Sequence, residues 1–210
     1  MSVNLWASAD HALDYLCEGA DTIPHRGEGE AALLEWLPRH TNRILDLGTG
    51  DGRLLALAKG NFPQAEAVAV DFSPAMLDRA RLRFAGDSCV RLVTHNLDDP
   101  LPSLGKFDAV ISSFAVHHLE HPRKRALYAE VHRALNPGGV FCNLEHVSSP
   151  TPKLHEEFMQ QLGQKLESED PSNKLLDLEA QLRWFCEIGF TDVDCQWKWR
   201  ELALLVGRAS

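Results

Sequence analysis

Residues 44–52, with the sequence ILDLGTGDG, constrain the fold of this 210-residue chain more than any other stretch. An apolar run leads into three glycines at alternate positions, and the strong helix formers of residues 53–58 follow at once. This order predicts a strand, a tight turn and a helix. Glycine is needed where the backbone takes positive φ or where a ligand touches the main chain, and the next helix offers unpaired N–H groups at its start. We therefore expect a nucleoside-bearing ligand at this turn.

The spacing around the glycines indicates which nucleoside binds. The dinucleotide fingerprint GxGxxG would need a third glycine at position 53, where this chain has Arg53. Asp46 instead precedes the first glycine, Gly48, by two residues. A buried carboxylate there would repel a pyrophosphate but attract the ammonium group of S-adenosylmethionine. Asp71 closes a second apolar strand at the distance of about 20 residues that is expected for the acid binding ribose hydroxyls.

Five segments, taken in order, resemble the motif series of class I S-adenosylmethionine-dependent methyltransferases with domains of the 12/25 type. The segments are ILDLGTGDG, VAVDFSPAML, VTHNLDDPLP, FDAVISSFAVHHL and LNPGGVF, and they cover residues 40–145. The resemblance implies an α/β, Rossmann-like fold with helices on both faces of a seven-stranded mixed sheet, in strand order 3-2-1-4-5-7-6 with the last strand antiparallel. It also implies S-adenosyl-L-methionine as the cofactor and methyl transfer as the activity.

Composition narrows the remaining possibilities. A hydrophobic content of 44% suffices for one core, so residues 1–210 are interpreted as a single methyltransferase domain. The net charge of −9 argues against nucleic acid and anionic membranes as partners. No apolar run is long enough to span a membrane, and the N-terminus lacks the pattern of a signal peptide. Five cysteines without a CxxC pair indicate free thiols, and we expect a cytoplasmic protein.

Two segments are interpreted as covers of the site. Residues 1–30 form a lid in this interpretation, because the N-terminal segment of the resembled family commonly folds over the cofactor; a small helix at one end of the sheet is the alternative. The family often places a tyrosine and an arginine there against the methionine end, which implies Tyr15 and Arg26. Residues 148–176 exceed a simple connection and carry apolar residues at intervals of four. They predict an inserted cap helix over the substrate side, or else a surface helix at the sheet edge.

Several local boundaries can also be predicted. Residues 91–97 are expected to form the third strand, and Leu178–Ile188 the last covering helix with Gly189 as its C-cap. Residues 191–199 and 201–206 are expected to form two closing strands. Strict alternation along the first of them places Cys195 and Trp197 on one face of the sheet.

Further cofactor residues are expected at the strand ends. Phe72, directly after the ribose-binding acid, is expected at the adenine edge, whereas Met76 either flanks the adenine or belongs to the core. In the resembled family an acidic residue follows the third strand at the adenine position. This chain has His95, Asn96 and Asp98 there, and Asn96 offers both a donor and an acceptor. The complete predicted set is Asp46, Gly48, Thr49, Gly50, Asp71, Phe72, Met76, Asn96, Leu97, Ser113, Tyr15 and Arg26.

The catalytic candidates follow the fourth and fifth predicted strands. Ligands bind beyond the carboxyl ends of strands in open α/β sheets. The side chains expected to face the pocket are therefore Ser113, Phe114, His117, His118, Glu145 and His146. Four of them are candidate proton acceptors: His118, His146, Glu145 and His117. The first two are preferred because imidazole titrates near neutral pH. Glu145 fits a structural ion pair equally well.

No metal site is expected. His117 and His121 would share a helical face, but a pair of histidines four residues apart is a weak metal signature by itself. The resembled family also often carries paired histidines at this place without metal.

These observations predict a methyltransferase that acts on a small-molecule acceptor. Transfer from a sulfonium needs mainly alignment and sometimes a base, which agrees with the lack of a nucleophilic triad. One alternative is an enzyme related to wobble-uridine modification of tRNA, such as a carboxy-S-adenosylmethionine synthase. It would need Arg26 or Arg200 for the added carboxylate. A second alternative is a non-catalytic, cofactor-binding regulator, whose mark would be a pocket closed to any acceptor.

Overall fold

A computed structural model describes residues 23–210. Tyr15 and residues 1–22 of the segment interpreted as a lid lie outside the described residues. The strands are β1 (Arg43–Leu47), β2 (Glu66–Asp71), β3 (Val90–Thr94), β4 (Phe107–Ser113), β5 (Leu135–His146), β6 (Phe190–Trp199) and β7 (Leu202–Ala209). The α-helices are α1 (Arg26–Glu35), α2 (Arg53–Asn61), α3 (Pro74–Arg83), α4 (His121–Ala134), α5 (Pro152–Gln161) and α6 (Leu178–Ile188). Residues 26–30 therefore begin α1. None of these helices is long and apolar enough to cross a membrane.

The strands form one seven-stranded sheet in the order β3-β2-β1-β4-β5-β7-β6. Strands β1 to β5 are parallel to one another, and β7 runs antiparallel to both β5 and β6. The fold class and strand order expected from the sequence are confirmed. The chain order reverses between β1 and β4, and the crevice at such a switch point is where open α/β sheets bind ligands.

Two hydrophobic layers cover the sheet because its central strands are apolar on both faces. Leu45 and Leu47 of β1 point into the layer that includes Leu127 of α4 and Phe185 of α6. Ile44, which directly precedes Leu45 in the strand, points into the opposite layer, which contains side chains of α1 and α2. Continuous apolar strands are typical of parallel sheets buried on both sides. This packing holds the carboxyl ends of β1, β2, β4 and β5 rigidly at one edge.

Strand β3 ends at Thr94, three residues earlier than predicted. The side-chain oxygen of Asn96 accepts a hydrogen bond from the backbone N–H of Asp98 at 3.0 Å, which makes a local turn. The backbone N–H of Asp99 closes the same turn by donating to the carbonyl of Asn96, also at 3.0 Å. The segment after β3 therefore bends across the end of the sheet instead of extending it.

The two faces of β6 differ from the prediction. Cys195 lies opposite Leu205, but Trp197 lies opposite Leu204, so Gln196 is an extra residue in the ladder. A bulge of one residue reverses the alternation of side chains beyond it. Cys195 accordingly packs against the α4 and α6 layer, whereas Trp197 packs in the α1 and α2 layer. The expectation that they share a face was wrong. The last helix, in contrast, has the predicted bounds and ends at Gly189 with φ 114°.

Candidate functional site

The glycine turn after β1 brings the ends of three strands together. Gly48 has φ 65°, and a Cβ atom at this position would lie 2.2 Å from Cβ of Ala115 in the segment after β4. Gly50 has φ 55°, and its backbone N–H donates to Oδ2 of Asp71 at 2.8 Å. Only glycine allows both the close approach and the left-handed backbone without strain. The turn is thus fixed to β2 on one side and to β4 on the other.

A buried carboxylate with an unused oxygen lies at the start of this turn. Asp46 is 1% exposed, and its Oδ2 accepts the hydroxyl of Thr49 at 2.5 Å. Its Oδ1 is buried and has no hydrogen-bond partner within residues 23–210. Burial raises the pKa of Asp46 to about 7, and the charge of Asp71 adds to this effect against the Thr49 hydrogen bond. A buried acceptor without a partner is rare, and this one fits a donor such as an ammonium group.

The second acid at the turn is already held by the backbone. Oδ1 of Asp71 accepts the N–H of Ser73 at 2.9 Å, and Oδ2 accepts that of Gly50. Burial nevertheless raises the pKa of Asp71, against the lowering effect of these N–H groups. Because each carboxylate oxygen has a further lone pair, Asp71 can still accept hydroxyl groups. Its place at the tip of β2 is the place predicted for the ribose-binding acid.

A cavity opens over the turn and is bounded by the carboxyl ends of β1 to β4. Ten of the twelve predicted cofactor residues line this cavity, which we call the turn cavity: Arg26, Gly48, Thr49, Gly50, Asp71, Phe72, Met76, Asn96, Leu97 and Ser113. Asp46 is not among the lining residues, although its partner Thr49 is. Tyr15 lies outside the described part of the chain.

Two polar atoms in the wall of the turn cavity have no partner in the described chain. They are Nε2 of His95 and Oγ of Ser113, both buried. The side-chain oxygen of Asn96, in contrast, is used in the turn to Asp98. Sequence reasoning preferred Asn96 for the adenine and passed over His95, because the local turn that occupies the amide oxygen was not visible in the sequence. His95 completes the polar lining beside Phe72.

Phe114 separates the turn cavity from a second one. It has φ 53°, an uncommon backbone for a residue with a side chain, and its N–H donates to the carbonyl of Leu144 at 2.8 Å. The guanidinium carbon of Arg26 lies 5.6 Å from the centre of the Phe114 ring. Nε of Arg26 also donates to Oε1 of the buried Glu30 at 2.8 Å. Such strained residues cluster at functional sites, where the surrounding structure holds them.

The second cavity, which we call the cap cavity, has a volume of about 500 Å³ and lies under α5. Phe114 and His118 line both cavities, so the two adjoin. The cap cavity is lined by Ile23, Phe114, His117, His118, His146, Phe158, Met159, Leu162, Gln164, Glu169, Asp170, Asn173 and Leu202. No lysine or arginine of residues 23–210 is in this set. Six apolar and seven polar or ionisable side chains form this lining, so the pocket can pack against the body of a small molecule and hydrogen-bond its polar groups.

His117 and Glu145 form a buried pair at the cap cavity. Nδ1 of His117 lies 2.9 Å from Oε1 of Glu145, which is fully buried. Burial alone would raise the pKa of Glu145, but the hydrogen bond and charge of His117 lower it. Burial also lowers the pKa of His117, against the effect of Glu145. At neutral pH the pair is therefore a carboxylate and a neutral imidazole, with Nδ1–H donating and the lone pair on Nε2.

A second set of pairs involves His146. Nε2 of His146 lies 2.9 Å from Oε2 of Glu201, a buried residue in the turn between β6 and β7. The other oxygen of Glu201 lies 2.9 Å from Nδ1 of His155 on α5, and Nε2 of His155 lies 3.2 Å from Oε2 of Glu169. Sequence reasoning missed Glu201 and His155. No local pattern could reveal them, because Glu201 is 55 residues from His146.

His118 is a weaker base than its position suggested. Its Nδ1 lies 2.9 Å from Oγ of Ser172, and its ring centre lies 4.1 Å from that of His117. Burial, together with His117, lowers the pKa of His118 to about 3. The imidazole is therefore neutral at physiological pH but holds a proton poorly.

The histidines after β4 do not converge on a metal. His117 is paired with Glu145, whereas Nε2 of His121 lies 3.2 Å from the backbone oxygen of Leu175. Within residues 23–210 no cluster of three histidine, cysteine or acidic side chains has a metal-binding arrangement.

Comparisons with known proteins agree with this geometry. A family model described as a methyltransferase domain matches residues 44–139. A demethylmenaquinone methyltransferase of Clavibacter sepedonicus is 39% identical over 118 residues, which are 55% of this chain and 46% of that protein. A ubiquinone/menaquinone biosynthesis C-methyltransferase of Methylobacterium nodulans is 37% identical over 137 residues, 60% of this chain and 52% of that protein. The chain thus spans about half the length of these curated relatives.

The fold is shared with solved structures at low sequence identity. An O-methyltransferase family protein from Burkholderia thailandensis superposes with a TM-score of 0.76 at 19% identity. The match covers 98% of this chain and 61% of that one. At this identity the likeness concerns the architecture of the sheet and its helices.

Proposed function

We propose that this chain, which is similar to S-adenosylmethionine-dependent methyltransferases, is a class I enzyme of that kind and methylates a small-molecule acceptor bound next to the cofactor. The observation that carries the proposal is the adjoining pair of cavities. The turn cavity has the lining expected of a nucleoside site, and the cap cavity shares Phe114 and His118 with it. A methyl group at the boundary would be within reach of a molecule under α5.

The residues of the turn cavity fit S-adenosylmethionine. Asp71 would accept hydrogen bonds from the ribose hydroxyls. Phe72 would pack against the adenine, and His95 would hydrogen-bond to it. Asp46, with Thr49, would attract the ammonium group. Three buried polar atoms without partners, on Asp46, His95 and Ser113, support this assignment. When bound, the cofactor supplies a methyl group already activated by a positively charged sulfur, so the protein supplies alignment and a proton acceptor.

The cap cavity favours an acceptor without an acidic group. Within the described chain no lysine or arginine lines it, whereas Glu169 and Asp170 do, so the lining offers a carboxylate or phosphate no permanent positive charge. The apolar side chains of Phe158, Met159 and Leu162 suit a planar or hydrocarbon body. Two matched relatives have names that refer to quinones, and reduced quinones are therefore among the first acceptors to test.

We assign the proton transfer to His117 and His146 rather than to His118. A hydroxyl or N–H of the acceptor would give its proton to Nε2 of His117, and Glu145 would stabilise the imidazolium that results. His118 has too low a pKa for this task, so we assign it the role of a neutral contact at the boundary of the two cavities.

We interpret residues 1–210 as one methyltransferase domain with two covers. Helix α5 and the residues up to 176 would close the acceptor side, since Phe158 and Met159 of α5 line the cap cavity. Residues 1–30 would cover the cofactor, and Arg26 is the part of that segment seen in the wall of the turn cavity. The four cysteines of the described chain are free, which supports a cytoplasmic location.

The two alternatives fit the site less well. A carboxylated cofactor would need an arginine, but Arg200 contacts Glu157 at 3.9 Å and lines neither cavity. Arg26 lines the turn cavity, yet its Nε is bonded to Glu30. A non-catalytic regulator would have no use for a cavity of about 500 Å³ beside the cofactor.

The test measures cofactor binding first and turnover second. Calorimetry should detect binding of S-adenosylmethionine and of S-adenosylhomocysteine to the protein, and no binding of ATP. Release of S-adenosylhomocysteine is then measured with candidate acceptors, including reduced quinones. Each acceptor is compared with a derivative that differs only in an added carboxylate. We expect turnover with the neutral member of a pair. A folded protein that binds neither nucleoside would overturn the proposal.

A further inference from the structure

We propose that Glu201 is a positioning residue that sets His146 as a proton acceptor and links it to the cap helix through His155. This inference depends on the proposed function, because it takes the cap cavity as the acceptor site. Glu201 stands in the turn between β6 and β7, outside every motif of the glycine-turn half of the chain.

Hydrogen bonding defines the tautomer of His146. A carboxylate only accepts hydrogen bonds, so both imidazoles that face Glu201 must present an N–H to it. Oε2 of Glu201 accepts a hydrogen bond from Nε2 of His146, and Oε1 accepts one from Nδ1 of His155, each at 2.9 Å. A neutral His146 therefore carries its proton on Nε2 and its lone pair on Nδ1. Within residues 23–210 no hydrogen bond reaches Nδ1, and the side chain lines the cap cavity.

Glu201 is held as an anion although it is buried. Burial would raise its pKa, but hydrogen bonds from His146, Ser149 and His155 lower it. The residues on either side of this turn are fixed by packing, because Trp199 and Leu202 contact the cluster formed with Phe158. A buried charge is costly unless it is paired. A buried carboxylate whose two oxygens both accept hydrogen bonds therefore indicates a specific structural or functional role.

The same carboxylate connects the base to the cap. His155 lies on α5, and its second ring nitrogen faces Glu169, which itself lines the cap cavity. Docking of α5 thus brings His155 to Glu201 at the same time as Phe158 closes over the acceptor. His117 differs, because the other hydrogen-bond partners of its carboxylate Glu145 are Asn143 and the backbone N–H of His146, both in β5. The ring centres of His117 and His146 are 5.6 Å apart. His117 is bonded to its carboxylate through Nδ1, whereas His146 is bonded to Glu201 through Nε2.

The decisive variant is Glu201→Gln. A glutamine amide has one oxygen that accepts and one nitrogen that donates, so it cannot accept from both imidazoles. We expect nitrogen-15 NMR to show His146 as the Nε2–H tautomer in the original protein and as a mixture of tautomers in the variant. The kcat should fall about 100-fold, as for loss of a general base, with an altered pH profile and an unchanged Kd for the cofactor. Glu201→Asp, which retains the charge, should restore the tautomer and most of the rate.

The matched control is Glu157→Gln on α5, the helix that carries His155. The Glu157 side chain is 42% exposed and faces Arg200, so this variant should keep the original tautomer, pH profile and rate. Melting temperatures verify that each variant is folded. If Glu201→Gln fails to fold, the tautomer of His146 in Glu201→Asp decides, because its loss there would contradict the proposed role.

The proposal is overturned if Glu201→Gln keeps the Nε2–H tautomer and the pH profile of the original protein. Failure of the proposed function has a different signature. In that case the original protein would release no S-adenosylhomocysteine with any acceptor, while the NMR measurement would still report whether Glu201 sets the tautomer.

Discussion

The turn cavity and the cap cavity adjoin, yet they are built in different ways. The turn cavity is formed by short segments that directly follow β1, β2, β3 and β4, and its main contacts are to the backbone. The cap cavity depends on side-chain pairs between residues that are 28 to 55 positions apart in the chain. The first design is set by local backbone geometry, and the second by tertiary packing. Changes in one cavity should therefore leave the binding properties of the other intact.

The largest effect is expected for His117→Ala, which removes the imidazole backed by Glu145. The kcat should fall by roughly 100- to 1,000-fold, because a general base contributes about that much. The Kd for the cofactor, measured by calorimetry, should not change. His121→Ala is the matched control, since that side chain is exposed and hydrogen-bonds to the backbone oxygen of Leu175. Equal losses of rate and cofactor affinity would contradict the separation of the two cavities.

The reciprocal change is Gly48→Val in the glycine turn. Its Cβ would overlap Ala115, and φ 65° is strained for a β-branched residue. Strain of about 3 kcal/mol corresponds to roughly a 100-fold weaker Kd for the cofactor. Gly60→Ala serves as the comparison, because no atom lies within 4 Å of the added Cβ in helix α2. An unaltered Kd in a folded Gly48→Val protein would refute the assignment of this turn.

A smaller effect, with a defined pH dependence, is expected for Asp46→Asn. The amide lacks the charge that attracts an ammonium group, so cofactor affinity at about pH 8 should fall roughly tenfold. In the folded protein the pKa of Asp46 is about 7 instead of 3.8, so the acid of the original protein gains its proton as the pH falls through 7. The gap in affinity should therefore narrow towards pH 6.

The same shift predicts the sign of the stability change. The folded state binds a proton on Asp46 between pH 3.8 and about 7, where the unfolded chain has released it. Stability of the original protein relative to Asp46→Asn should decline as the pH rises through that window. Chemical denaturation at several pH values measures this. A difference that does not vary with pH would be incompatible with a raised pKa.

The smallest effect is expected for Thr151→Ala at the start of α5. The Thr151 side chain caps the helix by accepting the N–H of Leu154 at 3.3 Å. Loss of an N-cap costs about 1 kcal/mol, so α5 should exchange its amide hydrogens faster and the acceptor KM should rise severalfold. Asp177→Ala removes the corresponding cap of α6, which is at 2.7 Å from Ala180. That variant should lower the melting temperature without changing KM.

The contrast between the cavities also explains what could be predicted from the sequence. The glycine spacing and Asp71 are local features, and the structure brings ten of the twelve predicted cofactor residues into one cavity. Likewise, the last helix and Gly189 could be located from apolar spacing and a C-cap glycine alone. Local backbone preferences decide such features, and these preferences depend on residues that are adjacent in the sequence.

Other features depended on information that the sequence does not carry locally. The extra residue Gln196 in β6 is defined only by pairing with β7, and it moved Trp197 to the other face. The low pKa of His118 results from burial against His117, which a sequence pattern does not show. Glu201 could not be connected with His146 before the register of the last hairpin was known.

The reversed direction of β7 has a wider consequence. Because this strand enters the sheet from the opposite end, its first residues lie next to the last residues of β5, and Leu202 is in register with His146. The β6–β7 turn thus lies at the same edge as the carboxyl ends of the parallel strands, but β5 and β4 separate it from β1 and β2. The final hairpin and α5 can therefore change in length or composition without disturbing the strands that form the glycine turn. Substrate preference in such a scaffold can diversify by remodelling the C-terminal third, while the donor site is inherited unchanged.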